Sequence, residues 1–132
     1  MAIDNLFAEV TSARYMALVV ESTKLEKQIC ATHTGQLLYD QFFLAATLAG
    51  ANYENAWANE SMTGFIAKMQ MVSVELQKLI FIAKVIINTK IISSDNEVLG
   101  FIFIETNELM SSASKSIATA KTKITNPELR QN

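Results

Sequence analysis

The sequence is a short chain that is rich in apolar residues and poor in charged ones. Of its 132 residues, 50% are hydrophobic and only 18% are charged, and the formal net charge is −2. This balance argues against nucleic acid binding, which needs a basic stripe on the protein surface. The length fits one domain, residues 1–132, with an unusually large share of apolar surface to bury.

No stretch of the sequence is apolar for long enough to predict a membrane-spanning helix. The strongest candidate, residues 79–92, contains two lysines, whereas a spanning helix needs about 20 largely apolar residues in a row. Asp4, Glu9 and Arg14 lie where a cleavable signal peptide would need an apolar core. We therefore expect a cytoplasmic protein, and export by a route that reads no such peptide stays open.

Helix breakers are scarce, since the chain has only four glycines and one proline, and this scarcity predicts long helices. The first helix is predicted for residues 4–31, with Asp4 as its N-cap. Its apolar residues form one strip at helical spacing and a second strip beside it: Leu6, Val10, Ala13, Ala17 and Val20, then Phe7, Leu18, Leu25 and Ile29.

A connection is predicted at residues 32–35, where Gly35 tolerates a left-handed backbone and Thr34 is able to cap the next helix. That second helix is predicted over residues 36–57. We expect it to continue across an internal glycine, which costs only about 1 kcal/mol relative to alanine. The next connection is predicted at residues 59–61.

The strongest pattern in the sequence predicts a third helix that packs lengthwise against its neighbours. Its apolar core seam repeats at steps of four and three residues: Phe65, Met69, Val72, Leu76, Leu79, Ala83 and Ile86. At 100° per residue a second apolar face lies roughly opposite: Met71, Val74, Phe81, Ile82 and Val85. A helix with two apolar faces needs partners on both sides, from the same chain or from another subunit.

A connection at residues 93–96 and a fourth helix to about Ile124 complete the prediction. Ser94 and Glu97 have the spacing of a capping box at the start of this helix. Its apolar positions give way to Ser, Ala and Thr toward the C-terminus, so its end either packs closely or frays. Residues 125–132 are predicted to be a disordered tail.

One alternative for the region before and after this connection is a β-hairpin. Residues 85–92 and 98–104 are β-branched and aromatic runs separated by turn-forming residues, which is also typical of two paired strands. The unbroken seam up to Ile86 favours the helices.

Side chains that carry chemistry are few, and we predict no catalytic residue, metal site or cofactor. His33 is the single histidine, which excludes a two-histidine metal site within one chain. Cys30 precedes it by three residues and could form a thiol–imidazole pair, although a buried cysteine beside a helix-end histidine is the plainer interpretation. Glu105 and Glu108 share a helical face, where solvated surface is the plainer interpretation.

Two clusters of large side chains have two interpretations each. Met62, Met69 and Met71 lie near Phe65 and could line an adaptable groove, or fill gaps in the core. A second cluster could line a ligand pocket between helices, or pack in the core: Phe42, Phe43, Tyr53 and Trp57.

Taken together, these patterns predict an all-α protein, an antiparallel bundle of three or four long helices joined by short connections. The predicted function is that of a non-enzymatic assembly or adaptor subunit that binds a protein partner or copies of itself. The predicted contact surface consists of the second face of the third helix and a strip of the fourth: Met71, Val74, Phe81, Ile82, Val85, Phe101, Ile102 and Phe103. Two alternatives are a small-molecule or lipid-binding bundle and a membrane-active protein with amphipathic helices in peripheral contact with lipid.

Overall fold

The computed structural model describes residues 2–126, with side chains from Asn5 onward, and this part of the chain is built from helices. The prediction of an all-helical fold is confirmed. No strand occurs among residues 2–126, so the alternative β-hairpin is wrong. The elements in chain order are α1 (Ala2–Thr23), α2 (Glu26–Ile29), α3 (His33–Trp57), α4 (Met62–Asn88) and α5 (Glu97–Thr125).

The four longer helices surround one apolar core. α3 packs against α4 over most of its length, α4 packs against α5, and α1 contacts both α3 and α5. The contact between α1 and α5 is the least extensive of these four. The pair α1 and α3 therefore lies across the core from the pair α4 and α5.

The first predicted helix is wrong in its extent, because the chain turns after Thr23 and only restarts as a helix at Glu26. The hydroxyls of Ser22 and Thr23 donate to the carbonyls of Val19 and Val20, each at 2.6 Å. Such bonds compete with the helical pattern at a helix end. The amide of Leu25 then donates to the carbonyl of Ser22 at 3.2 Å, a tightened turn that redirects the chain.

The buried face of α1 is not the strip with the more regular spacing. Leu6, Val10 and Val20 are 60, 55 and 51% exposed, whereas Tyr15 and Leu18 are buried. The aromatic residue decides the orientation, because a tyrosine buries far more area than an alanine or a valine of the other strip. Its ring stacks on the ring of Tyr53 in α3, with centroids 4.7 Å apart.

Gly35 lies in the first turn of α3 and not in a connection, and no described glycine has a positive φ. The predicted connection is therefore wrong at residues 33–35, and the tolerance of Gly35 for a left-handed backbone is not used. The cap is Thr32, whose hydroxyl accepts from the amide of Gly35 at 3.0 Å. A Cβ at position 35 would lie 1.6 Å from the carbonyl oxygen of Ile29, so the glycine permits the close approach of α2 to α3.

α3 continues across Gly50 to Trp57, and α4 starts at Met62 after Ser61 caps it, as the sequence indicates. On α4 the buried residues are Ile66, Met69, Val72, Leu76, Leu79, Ala83 and Ile86. Phe65 of the predicted seam is half-buried against this core, and Ile66 takes the innermost position beside it.

α4 ends in a Schellman motif. The amide of Lys90 donates to the carbonyl of Ile87 at 3.0 Å, and the amide of Ile91 donates to that of Ile86 at 3.2 Å. Lys90 has a φ of 62°, the left-handed conformation in which glycine is usual. The motif turns the chain back toward α5.

α5 begins later than the capping-box pattern indicates. The cap is Asn96, whose side chain accepts from the amide of Leu99 at 3.0 Å, and Ser94 lies in the preceding turn. The helix continues to Thr125, one residue past the predicted end. Thr125 is thus helical and Asn126 is the C-cap, and residues 127–132 of the predicted tail lie outside the described residues.

Candidate interaction surfaces and a cleft

The second apolar face predicted for α4 lies on the side of this helix that turns away from the core. Met71, Val74 and Phe81 are 46, 51 and 67% exposed. Ile82 and Val85 are half-buried at the margins of the same face, and Ile82 packs partly against the core. Three large apolar side chains of one helix thus face outward within the structure.

The predicted strip on α5 divides between surface and core. Phe101 is exposed and Phe103 is half-buried against the core. Ile102 is wrong as a surface residue: it is only 1% exposed, because it shares the buried face that Leu99 and Thr106 define. Ile104, which ends the predicted strip of residues 101–104, is 65% exposed.

We define the α4–α5 patch as the five exposed apolar side chains of these two helices: Met71, Val74, Phe81, Phe101 and Ile104. Phe81 precedes the end of α4 at Asn88 by seven residues, and Ile104 follows the start of α5 at Glu97 by seven. In two neighbouring helices joined by a short connection, this register places Phe81 and Ile104 at one level.

A second outward surface lies on α1 and α3 and was missed as a surface in the sequence. The strip of α1 that was expected to turn inward contributes Leu6, Val10 and Val20. We define the α1–α3 patch as the exposed large apolar residues Leu6, Val10, Met16, Val20, Leu37, Leu44 and Leu48. Every long helix therefore carries apolar side chains both on its core face and on its outer face.

The two glutamates of α5 hold the arginine of α1 in place. Arg14 binds Glu105 through two bonds, Nη2 to Oε1 at 2.6 Å and Nε to Oε2 at 3.0 Å. Its Nη2 also lies 3.0 Å from Oε1 of Glu108. Hydrogen bonding to Glu105 raises the pKa of Arg14. Arg14 thus pairs both carboxylates across the α1–α5 contact, with two bonds to Glu105 and one to Glu108, whose side chain is 60% exposed.

A cleft of about 800 Å³ opens beside this cluster, between the first half of α1, the α3–α4 corner and the second half of α5. Its apolar wall is aromatic. The ring of Trp57 meets that of Phe65 edge to face with centroids 5.1 Å apart, and meets that of Phe7 at 6.3 Å. Met62 lies at the rim of the same wall.

The opposite wall of the cleft is polar and comes from α5. It is lined by Ser111, Ser112, Lys115, Ser116, Thr119 and Lys123, with Ala120 between them. The serine, threonine and alanine side chains among them explain the cleft, because they cannot fill the space between α1 and α5 as the large residues earlier in α5 do. The thinning of apolar residues seen in the sequence therefore leaves an open volume and not a close helix contact.

The predicted aromatic cluster is separated by the structure. Phe42 and Tyr53 are buried in the core, and Phe43 is half-buried beside the ring of Tyr39, with centroids 5.9 Å apart. Only Trp57 of this set lines the cleft. Burial raises the pKa of Tyr53, while the nearby Thr11 hydroxyl and Trp57 indole N–H act in the opposite direction.

The methionines are likewise dispersed. Met69 is buried in the core, Met71 belongs to the α4–α5 patch, and Met62 and Phe65 line the cleft. A single methionine-lined groove is therefore not formed.

Cys30 and His33 do not form a reactive pair. Cys30 is half-buried and His33 is exposed, and no hydrogen bond joins them within the described residues. Burial, with the charges of Glu26 and Asp40, raises the pKa of the Cys30 thiol, which disfavours the nucleophilic thiolate. Residues 2–126 also contain no cluster of metal-ligating side chains, and none of their helices has the length and apolar character to cross a bilayer.

Comparison with known proteins shows a likeness of fold. No protein-family model and no curated protein sequence matches this chain. Its structure resembles the crystal structure of a protein of unknown function from the S23 ribosomal protein family of Bacteroides thetaiotaomicron, with a TM-score of 0.72. The two chains are 20% identical, and the match covers 80% of this chain and 96% of the other. At this identity the likeness extends to the helical fold alone.

Proposed function

We propose that this protein is a non-enzymatic assembly subunit, an antiparallel four-helix bundle that associates with further copies of itself through its outer apolar patches. The observation that carries the proposal is the outer face of α4 and α5. There Phe81 and Ile104 are 67 and 65% exposed at one level of the bundle. Large apolar side chains grouped in this way on a surface are typical of sites that another molecule covers.

The composition supports the same conclusion. Scattered apolar residues on a surface are ordinary, but here they recur at helical spacing on the outer faces of all four long helices. Only 18% of the chain is charged, so little charge is available to keep such surfaces apart in solution. Covering a large apolar side chain contributes about 1.5 to 3 kcal/mol, and five such residues form the α4–α5 patch alone.

A second copy fits these patches better than an unrelated charged partner. The described patches consist of aliphatic and aromatic side chains, and both lie on convex helix faces, so the surface that best matches one is another apolar helix face. Such packing of ridges into grooves is how helices pair in cores and in dimers.

The experiment uses charged substitutions in the α4–α5 patch of the full chain. We expect the unmodified protein to have a molar mass that is a multiple of the 14.6 kDa chain mass in light scattering after size exclusion. Phe81→Glu and Ile104→Glu should each lower the mass toward that of one chain, because an interface cannot bury an unpaired carboxylate cheaply. Ser114→Glu, at an exposed polar position ten residues beyond Ile104 on α5 and outside the patch, is the control and should keep the mass.

The α1–α3 patch is tested in the same way with Val10→Glu and Leu44→Glu, so that each patch is assessed separately. Circular dichroism establishes that each variant keeps its helices. A monomer for the unmodified chain at every concentration would contradict the proposal. So would an oligomer that none of the four patch variants disturbs.

A different outcome would favour the membrane-active alternative. In that case the unmodified chain would be monomeric and would bind vesicles of anionic and zwitterionic phospholipid, and the patch variants would reduce vesicle binding. We favour self-association because the chain has a formal net charge of −2, which gives no net attraction to an anionic lipid surface.

A further inference from the structure

We propose that the cleft beside Trp57 is a binding site for a small, flat aromatic molecule that carries an anionic group. The cleft lies between α1, the α3–α4 corner and α5, and none of its lining residues belongs to either outer patch. The site therefore goes beyond the assembly role and is independent of it.

The volume of the cleft and its aromatic wall suit the flat aromatic part of this ligand. About 800 Å³ lies within the range of small-molecule sites in proteins, roughly 300 to 1,000 Å³. Trp57 stands at the centre of the aromatic wall, with Phe65 and Phe7 arranged edge to face around it. Such a wall offers ring surfaces to a planar apolar body and gives little to a sugar or a flexible polar chain.

The hydrogen-bond donors on the α5 wall suit the anionic group of this ligand. The hydroxyls of Ser111, Ser112, Ser116 and Thr119 line the cleft and make no hydrogen bond to another described residue. Lys115, on the same wall, makes no ion pair within the described part of the chain. Hydroxyls and an ammonium group that converge on one volume are donors that suit a carboxylate, sulfonate or phosphate.

The carboxylates near the cleft do not cancel this preference. Glu108 is paired with Arg14 at 3.0 Å, and Arg14 also binds Glu105 at 2.6 Å. Glu60 is exposed at the α3–α4 corner. Lys115 lines the cleft and makes no ion pair with another described residue, so it is the cation that we assign to the anionic group.

The test uses two naphthalene dyes that differ in charge and the protein's own fluorescence. Trp57 is the single tryptophan and lines the cleft, so a bound naphthalene accepts its emission. We expect the anionic dye 8-anilinonaphthalene-1-sulfonate to quench Trp57 saturably with one site per chain. Its uncharged analogue N-phenyl-1-naphthylamine should bind the same site more weakly.

Matched variants distinguish the cleft from the outer patches. Ser112→Leu fills the cleft and should weaken binding of both dyes at least tenfold, whereas Ser114→Leu, on the exposed side of α5 and outside the cleft, should leave both unchanged. Lys115→Ala should weaken the anionic dye about tenfold, as expected for a hydrogen bond to a charged group, and change the uncharged dye less than twofold. Lys121→Ala is the control for charge.

Several results would overturn the assignment of this site. Binding that is equal in Ser112→Leu and the unmodified chain would place the dye on the outer patches. An equal effect of Lys115→Ala on the two dyes would exclude recognition of the anion, and unchanged Trp57 emission would exclude the cleft. If Ser112→Leu loses its helical circular dichroism, the comparison of Lys115→Ala with Lys121→Ala tests the site in its place. Dye binding and oligomeric mass are measured separately, so the site and the assembly role can fail independently.

Discussion

Lys90 shows how a single residue can hold a strained backbone because the surrounding structure requires it. Its φ of 62° closes the Schellman motif at the end of α4, and the left-handed conformation costs an L-residue roughly 1 to 2 kcal/mol. We expect Lys90→Gly to raise the free energy of unfolding by about 1 kcal/mol in urea denaturation. Lys90→Ala should give no such gain, and a gain equal to that of glycine would show that the backbone is not the cause.

Gly35 and Gly100 each lie in the first turn of a helix, so together they form a matched pair for testing the effect of an added Cβ. A Cβ at Gly35 would meet the carbonyl oxygen of Ile29 at 1.6 Å, whereas one at Gly100 would meet nothing within 4 Å. Gly35→Ala should therefore destabilise the protein by about 1 to 3 kcal/mol, the range of overpacked cores. Gly100→Ala should stabilise it by about 0.5 to 1 kcal/mol, because alanine favours helix. Thermal denaturation of both variants checks the opposite signs.

At the scale of the elements, the ion cluster on Arg14 joins α1 to α5 where their packing is least extensive. Arg14 is about a third exposed, so solvent screening limits its contribution. We expect a double-mutant cycle of Arg14→Ala and Glu105→Ala to give a coupling free energy of about 0.5 to 1.5 kcal/mol. The coupling should decrease in high salt, and a coupling of zero would mean that the cluster does not stabilise the α1–α5 contact.

The helices were largely predictable from the sequence because their periodicity is a direct consequence of burial. The seam of α4 recurs at helical steps, so six of its seven predicted members lie in the core. α1 was harder because both of its strips are apolar and spacing alone cannot rank them. The burial of Tyr15 depends on its stacking partner Tyr53, 38 residues away, and no local pattern reveals that contact.

The ends of the helices were predicted less well for a related reason. The sequence offered Thr34 and Ser94 as caps, but the chain uses Thr32 and Asn96. Each of these residues can accept from an amide two or three positions on, so the packing of the helix body selects among them. At the turn of residues 24–25 the hydroxyls of Ser22 and Thr23 donate to carbonyls three residues earlier, and the sequence pattern did not reveal that these bonds accompany a helix end.

The cleft was the least predictable feature, because it arises from three elements that are distant in the sequence. The small residues at the end of α5 and the aromatic character of Trp57 were visible separately. Their juxtaposition across one volume depends on how α1 diverges from α5. The pairing of Glu105 and Glu108 with Arg14 also joins residues about 90 positions apart, beyond the reach of spacing arguments.

For the whole molecule, the buried tyrosines predict how stability depends on alkaline pH. The chain has three tyrosines, and burial raises the pKa of Tyr15, Tyr39 and Tyr53 above the ordinary value of 10.0. A group whose folded pKa is raised stabilises the fold fully below its unfolded pKa, and this stabilisation is lost as pH rises above that value. We expect the free energy of unfolding to fall above about pH 10.

Spectrophotometric titration at 295 nm checks this dependence. The phenols should ionise together with the loss of helical circular dichroism, because the folded state keeps them neutral. Ionisation of all three tyrosines near pH 10 with the helices intact would contradict their burial.

The proposed self-association depends on the outer faces of the bundle, where large apolar side chains face away from the core. The most direct measurement is sedimentation equilibrium of the unmodified chain over a hundredfold range of concentration. Self-association predicts a weight-average mass above 14.6 kDa that rises with concentration or stays at a fixed multiple. A mass equal to that of one chain across the whole range would contradict it.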